Sequence, residues 1–114
     1  MQYPAGHPAN DVDVLWRCEA KRYSYIIGAG TDRFGTTPPR LEMWWYNVSK
    51  RTLKGAWLGG RFVLLSAHKK WACNTEQEAL ESFIARKKRQ IKILSAQLQQ
   101  ARDDLHLTEQ GVFA

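Results

Sequence analysis

Hydrophobic and polar positions change period once along this chain, near residue 75. From Asp11 the pattern alternates, with Val12, Val14, Trp16 and Cys18 on one side and Asp13, Arg17 and Glu19 on the other. That period of two predicts a half-buried strand, which "RYSYIIG" extends past a bend near residues 19–21. Residues 28–39, "GAGTDRFGTTPP", read as a loop by composition, closed by two prolines that cannot donate to a sheet. Three strand signals follow in quick succession: "LEMWWYNV", then "TLKGAWL" after a polar turn at residues 49–51, then "RFVLLSA" after Gly59-Gly60. A Gly-Gly pair between apolar runs is a two-residue hairpin signal, because both residues can take positive φ. The expected topology is an antiparallel meander with the first strand added at an edge.

After residue 75 the period becomes helical. Thr75 with Glu78 three residues on forms a capping box, and Glu76, Glu78 and Glu81 lie near the positive end of the helix dipole. Leu80, Ile84, Lys87, Ile91, Leu94, Leu98, Ala101 and Leu105 then recur at spacings of four and three, a heptad seam interrupted only by Lys87. The fold class is therefore α+β, an antiparallel sheet of about four strands packed on one long C-terminal helix. Its parts are an extended arm (1–10), the sheet (11–74), the helix (75–107) and a tail (108–114).

A helix of about 33 residues spans roughly 50 Å, against a radius of gyration of about 13 Å for a compact domain of this size. Its first half, with Leu80, Phe83 and Ile84, can cover the sheet. The seam of Lys87, Ile91, Leu94, Leu98, Ala101 and Leu105 then needs a further partner, either the same helix of a second copy in a homodimer or a different protein. A lysine on such a seam can snorkel, pair with an acid such as Glu42, or set the register of a dimer.

Length and composition bound the rest. At 114 residues, 44% apolar with five Trp, the chain suits one globular domain. It has no run long and apolar enough for a membrane span and no signal-peptide pattern, and so reads as a cytoplasmic protein without membrane contact. Cys18 and Cys73 lie far apart without a CxxC, which favours two separate thiols.

The net charge of +6 is unevenly placed. No acid occurs between Glu42 and Glu76, where Lys50, Arg51, Lys54, Arg61, Lys69 and Lys70 fall, nor between Glu81 and Asp103, where Arg86, Lys87, Lys88, Arg89 and Lys92 fall. Such a field favours anionic partners. Lys50, Arg51, Lys54, Arg86, Lys88, Arg89 and Lys92 are the candidate contacts to an anionic partner, nucleic acid included. On a helical wheel Lys88, Arg89 and Lys92 also lie where an ordinary solvated face should be polar, which is the simpler account. Trp44 and Trp45 are neighbours on one strand and must point to opposite faces. The face carrying Trp44 and Tyr46 could stack bases, but no RNP-type motif is present and cross-strand packing against Trp57 or Phe62 is the simpler account.

Candidate chemistry is sparse. Gly28-Ala29-Gly30 starts like a phosphate fingerprint, but Arg33 occupies the place of the next glycine and no helix opens there. Cys73 near a helix start, with His68 upstream, lacks an orienting acid. His7, His68 and His106 share no metal-ligand spacing. Paired carboxylates are absent from the strands apart from Asp11 and Asp13. No catalytic, metal or cofactor residues are assigned, and a non-enzymatic role is expected.

"YNVSKRTLKGAWL" and "KKWACNTEQEALESFIARKKRQIKILSAQL" resemble, in the same order, two blocks of a group of small hypothetical proteins encoded by tailed phages and prophages. The resemblance covers residues 41–105. Cys73 and Asn74 stand where that pattern has an aromatic and a proline, which alters the corner between sheet and helix. The resemblance implies a setting, the cytoplasm of an infected bacterium, and no catalytic residues. It makes an accessory protein that binds and inhibits or modulates a host protein or nucleoprotein complex the leading expectation, with an anti-CRISPR-like role as its sharpest form. A sequence-tolerant DNA or RNA binder is the alternative, and a helix-assembled structural component is the third.

Overall fold

A computed structural model describes residues 1–26 and 34–111. The order of elements is β1 (Val14–Lys21), β2 (Ser24–Ile26), β3 (Phe34–Thr36), β4 (Arg40–Asn47), β5 (Lys50–Arg51), β6 (Gly55–Leu58), β7 (Arg61–Leu64) and α1 (Glu76–Glu109). The fold is α+β. Two units are distinguished along it, Met1–Phe83 and Ile84–Ala114, and α1 runs through the boundary.

The first unit is built around the antiparallel ribbon β1–β4, in which Leu15 faces Tyr46, Trp16 faces Trp45 and Cys18 faces Met43. Each edge of the ribbon carries one isolated bridge. Cys73 bridges β1 at Trp16, and Gln2 bridges β4 in parallel, its N–H donating to Leu41 O while Met43 N–H donates to Gln2 O. Each is a single bridge, so it covers one point of its edge.

The expected meander is divided. After Asn47 the chain turns at Val48–Ser49 and pairs anew in the three-stranded sheet β5–β6–β7. The polar residues 50–51, expected in a turn, form β5, and the turn lies at 52–54, where Thr52 N–H and Oγ1 both donate to Gly55 O. Gly59 takes φ of 63° in the two-residue connection of β6 to β7, as the Gly-Gly pair implies. Phe34–Thr36, expected in the loop, pairs with β2, since the prolines that forbid pairing come only at positions 38 and 39. The phosphate-like glycines 28 and 30 lie outside the described residues.

Apolar clusters lie on both faces of the β1–β4 ribbon. One gathers Cys18, Met43, Cys73 and Ala79, flanked by Tyr3, Trp16, Leu80 and Phe83, and is the face that the start of α1 covers. The other gathers Leu15, Ala56, Val63 and Ala72, flanked by Val48, Leu58, Leu65 and Trp71, and is covered by the β5–β7 sheet. Leu15, on the face that alternation assigns to polar residues, is fully buried.

Helix α1 begins as its capping residues require, with Glu78 N–H donating to Thr75 Oγ1 at 3.1 Å. It ends at Gly111, whose φ of 66° is the left-handed conformation that closes helices. In the second unit every described residue from Gln90 to Gly111 is exposed. Among the described residues no helix is long and apolar enough to cross a membrane.

Candidate functional site

The seam residues are carried on the second unit's helix with their apolar side chains in solvent. Ile84 is 43% exposed, Ile91 63%, Leu94 53%, Leu98 51% and Leu105 58%, and Ala101 is exposed with them. Helical geometry places residues three and four apart along one face, so these form a continuous stripe over six turns. Lys87 on that stripe is exposed rather than buried, and its ammonium donates to Gln90 Oε1 at 3.1 Å.

The candidate cations divide by environment. Lys50, Lys54, Lys88 and Lys92 are exposed, while Arg86 and Arg89 are half-buried. Arg51 is already engaged: Nε and Nη2 meet the two oxygens of Asp13 at 2.7 and 2.5 Å, and Nη1 reaches Asn74 Oδ1 at 2.6 Å. A guanidinium held in such a fork is poorly placed to grip a phosphate.

Trp44 and Tyr46, the candidate exposed aromatics, are half-buried. Trp71, from the segment after β7, packs on Tyr46 with ring centroids 5.0 Å apart. Arg17 and Arg61 lie over the Trp71 ring at 4.7 and 4.2 Å, so that ring is cation-covered as well. Trp57 and Phe62 face each other across β6 and β7 instead of Tyr46. Trp44 Nε1 donates to Glu42 at 3.3 Å.

Strand register brings together a pair of carboxylates that spacing along the chain does not reveal, Glu19 and Glu42, directly opposite on β1 and β4. Their partners keep them apart in role. Arg17 at 2.9 Å, chiefly, and Lys21 at 3.1 Å hold Glu19 below the usual carboxylate range. Glu42 accepts from Tyr23 Oη at 2.6 Å, and that bond pushes the Tyr23 phenol up. A Glu19 carboxylate with a lowered pKa has no proton to donate and is a weak base, and a Tyr23 phenol with a raised pKa stays protonated and is a weak acid at neutral pH. The pair therefore reads as a polar ladder stitching the ribbon. Only the β1–β4 register could have revealed it.

No family model, curated protein or solved structure matches this chain.

An open depression of about 440 Å³ lies at the start of α1, lined by Met1, Tyr3, Met43, Thr75, Glu76, Gln77 and Leu80. Tyr3 Oη donates to Glu76 Oε2 at 3.3 Å there, and burial, then the Glu76 charge, push the phenol up. The Glu76 carboxylate already occupies the positive end of the helix. Cys73 is buried among Cys18, Met43 and Ala79, closed to any substrate, while His68 is exposed. Among the described residues no group of three or more His, Cys, Asp or Glu could hold a metal.

Proposed function

We propose that this is a non-enzymatic binding protein that works by assembling with other protein chains through the seam of α1. The observation that carries this reading is the stripe of Ile84, Ile91, Leu94, Leu98 and Leu105, each at least 43% exposed. Burying such side chains is worth about 1.5–3 kcal/mol each, so five along one seam favour association even with Lys87 between Ile84 and Ile91. A contiguous apolar stripe rimmed by polar residues is a signature of an interaction site rather than of ordinary surface. The resemblance to small proteins of tailed phages supplies the setting. The assembled protein binds and inhibits or modulates a host protein or nucleoprotein complex in the cytoplasm of an infected bacterium, and an anti-CRISPR-like action is the sharpest form of that role.

Nuclease-treated host lysate containing tagged protein tests the reading. The wild type should retain a defined set of protein chains, a second copy of itself or host chains, that Leu98→Glu loses. If both proteins retain the same chains, the seam is not the docking surface.

A second reading, sequence-tolerant binding of DNA or RNA, is favoured by the exposure of Lys50, Lys54, Lys88 and Lys92. Phosphate contacts release counterions, so affinity should then fall steeply with salt. Titration of labelled single-stranded and duplex DNA across ionic strength decides it, and no binding at low salt removes it.

A further inference from the structure

Resting on the seam as a protein docking surface, we infer that its occupant is the helix of a second copy, antiparallel and centred on Ala96. The spacings carry this inference. With the two helices opposed about Ala96, Leu94 meets the partner's Leu98, Ile91 meets the partner's Ala101, Lys87 meets the partner's Leu105 and Ile84 meets the partner's Thr108. That register uses the exposed stripe from end to end. A shift of one heptad towards the N-terminus would call on Leu80, which already packs against Cys18, Met43 and Cys73. A shift the other way leaves Ile84 and Lys87 facing solvent.

Charge selects the direction. In a parallel pair Lys87 would meet its own copy in the seam, and the basic stretch 86–92 would lie level with its own copy. The antiparallel pair sets this basic stretch against the stretch holding Asp103 and Asp104. Lys87 then lies opposite Leu105 near the end of the seam, where its ammonium can reach the partner's Asp104 and water. One like-charge contact remains, Lys88 beside the partner's Arg102 along the flank. In a parallel pair Arg102 would instead flank Gln97. Arg102 thus distinguishes the two directions.

The test uses the full chain. Light scattering at high micromolar concentration should give a dimer. An equal mixture of L94C and L98C chains in a glutathione redox buffer should yield mostly mixed 94–98 disulfides, identified by peptide mass. These positions are exposed, so neither variant threatens the fold. Arg102→Glu turns the one repulsive flank into an attractive one, twice per dimer, and should tighten association about three- to ten-fold. Homotypic 94–94 and 98–98 disulfides with an indifferent Arg102→Glu would overturn the antiparallel arrangement. A monomeric mass would overturn self-pairing itself. Chains lost from the lysate complex on Leu98→Glu would, in that event, still uphold the seam as a docking surface for another protein.

Discussion

Trp16 and Cys73 exchange both of their backbone hydrogen bonds, at 2.7 Å in each direction. This single antiparallel bridge fixes the chain three residues before α1 to the open edge of β1, and so sets where the helix starts on the ribbon. It also carries the Cys73 side chain into the cluster with Cys18, Met43 and Ala79. Cys73→Ala should cost about 1 kcal/mol for lost packing. Cys73→Ser should cost more, about 1–3 kcal/mol, because a hydroxyl enters an apolar site. Urea unfolding checks both. Neither thiol should react with a chromogenic disulfide reagent until the protein unfolds, and rapid reaction in the native state would contradict the burial of both.

Leu15 is the counterpart on the opposite face, fully buried against Ala56, Val63 and Ala72. Leu15→Ala should destabilise by about 2–4 kcal/mol, read as a lower urea midpoint with an unchanged slope. Val12→Ala should be nearly silent, since Val12 is 40% exposed. Equal effects of the two would mean that the β5–β7 sheet does not cover this face.

Leu15 and Val12 also mark where the sequence was and was not readable. Alternation placed Val14, Trp16 and Cys18 together, as found, and with them Val12. It left Leu15 unassigned among Asp13, Arg17 and Glu19 on the opposite face, because a strand carrying those charges looks one-sided. Both faces are covered, and Arg17 is accommodated by lying over Trp71 and donating to the Trp71 carbonyl at 2.6 Å. Turn chemistry is local and was legible at Gly59-Gly60 and the Thr75 cap, but not at 52–54, where the turn replaces the expected start of a strand. The division of the meander at Val48, the Gln2 and Cys73 bridges and the facing of Glu19 and Glu42 are long-range pairings, which no local pattern encodes. The seam was legible because helical periodicity is local; that Lys87 faces solvent follows from exposure that periodicity alone does not report.

Two carboxylates tie stability to acid. The Arg51 fork holds Asp13 below its ordinary pKa, and Arg17, with Lys21, does the same for Glu19. A carboxylate depressed in the folded state binds protons more weakly there than when unfolded. Its contribution is complete above the unfolded value, about 3.9 for Asp and 4.3 for Glu, and is lost as pH falls through the folded value. Urea midpoints should be flat from neutral pH to about 5 and fall below it. Glu19→Gln should flatten that fall, and Asp13→Asn should do so less, because the Asp13 side chain is 49% exposed and screened by water. A Glu19→Gln curve parallel to wild type down to pH about 3 would refute the assignment.

Gly55 and Gly59 flank the same strand and should respond to alanine for different reasons. Gly55 is buried opposite Leu64, and a Cβ there would collide with the backbone carbonyl of Val63 and the Phe62 ring. The carbonyl belongs to the β6–β7 ladder and cannot move without breaking it, so Gly55→Ala should cost about 2–4 kcal/mol, in the range of strained core insertions. Gly59 has open space around it, and only its φ of 63° penalises a side chain. Gly59→Ala should therefore cost about 1 kcal/mol, the ordinary cost of a left-handed residue. Gly59→Asn should recover part of that loss, because Asn tolerates the left-handed region, whereas Gly55→Asn should be worse than Gly55→Ala. Thermal melts of the four variants separate the two mechanisms, and a rescue by Asn at position 55 would show that the collision with Val63 is not what excludes a side chain there.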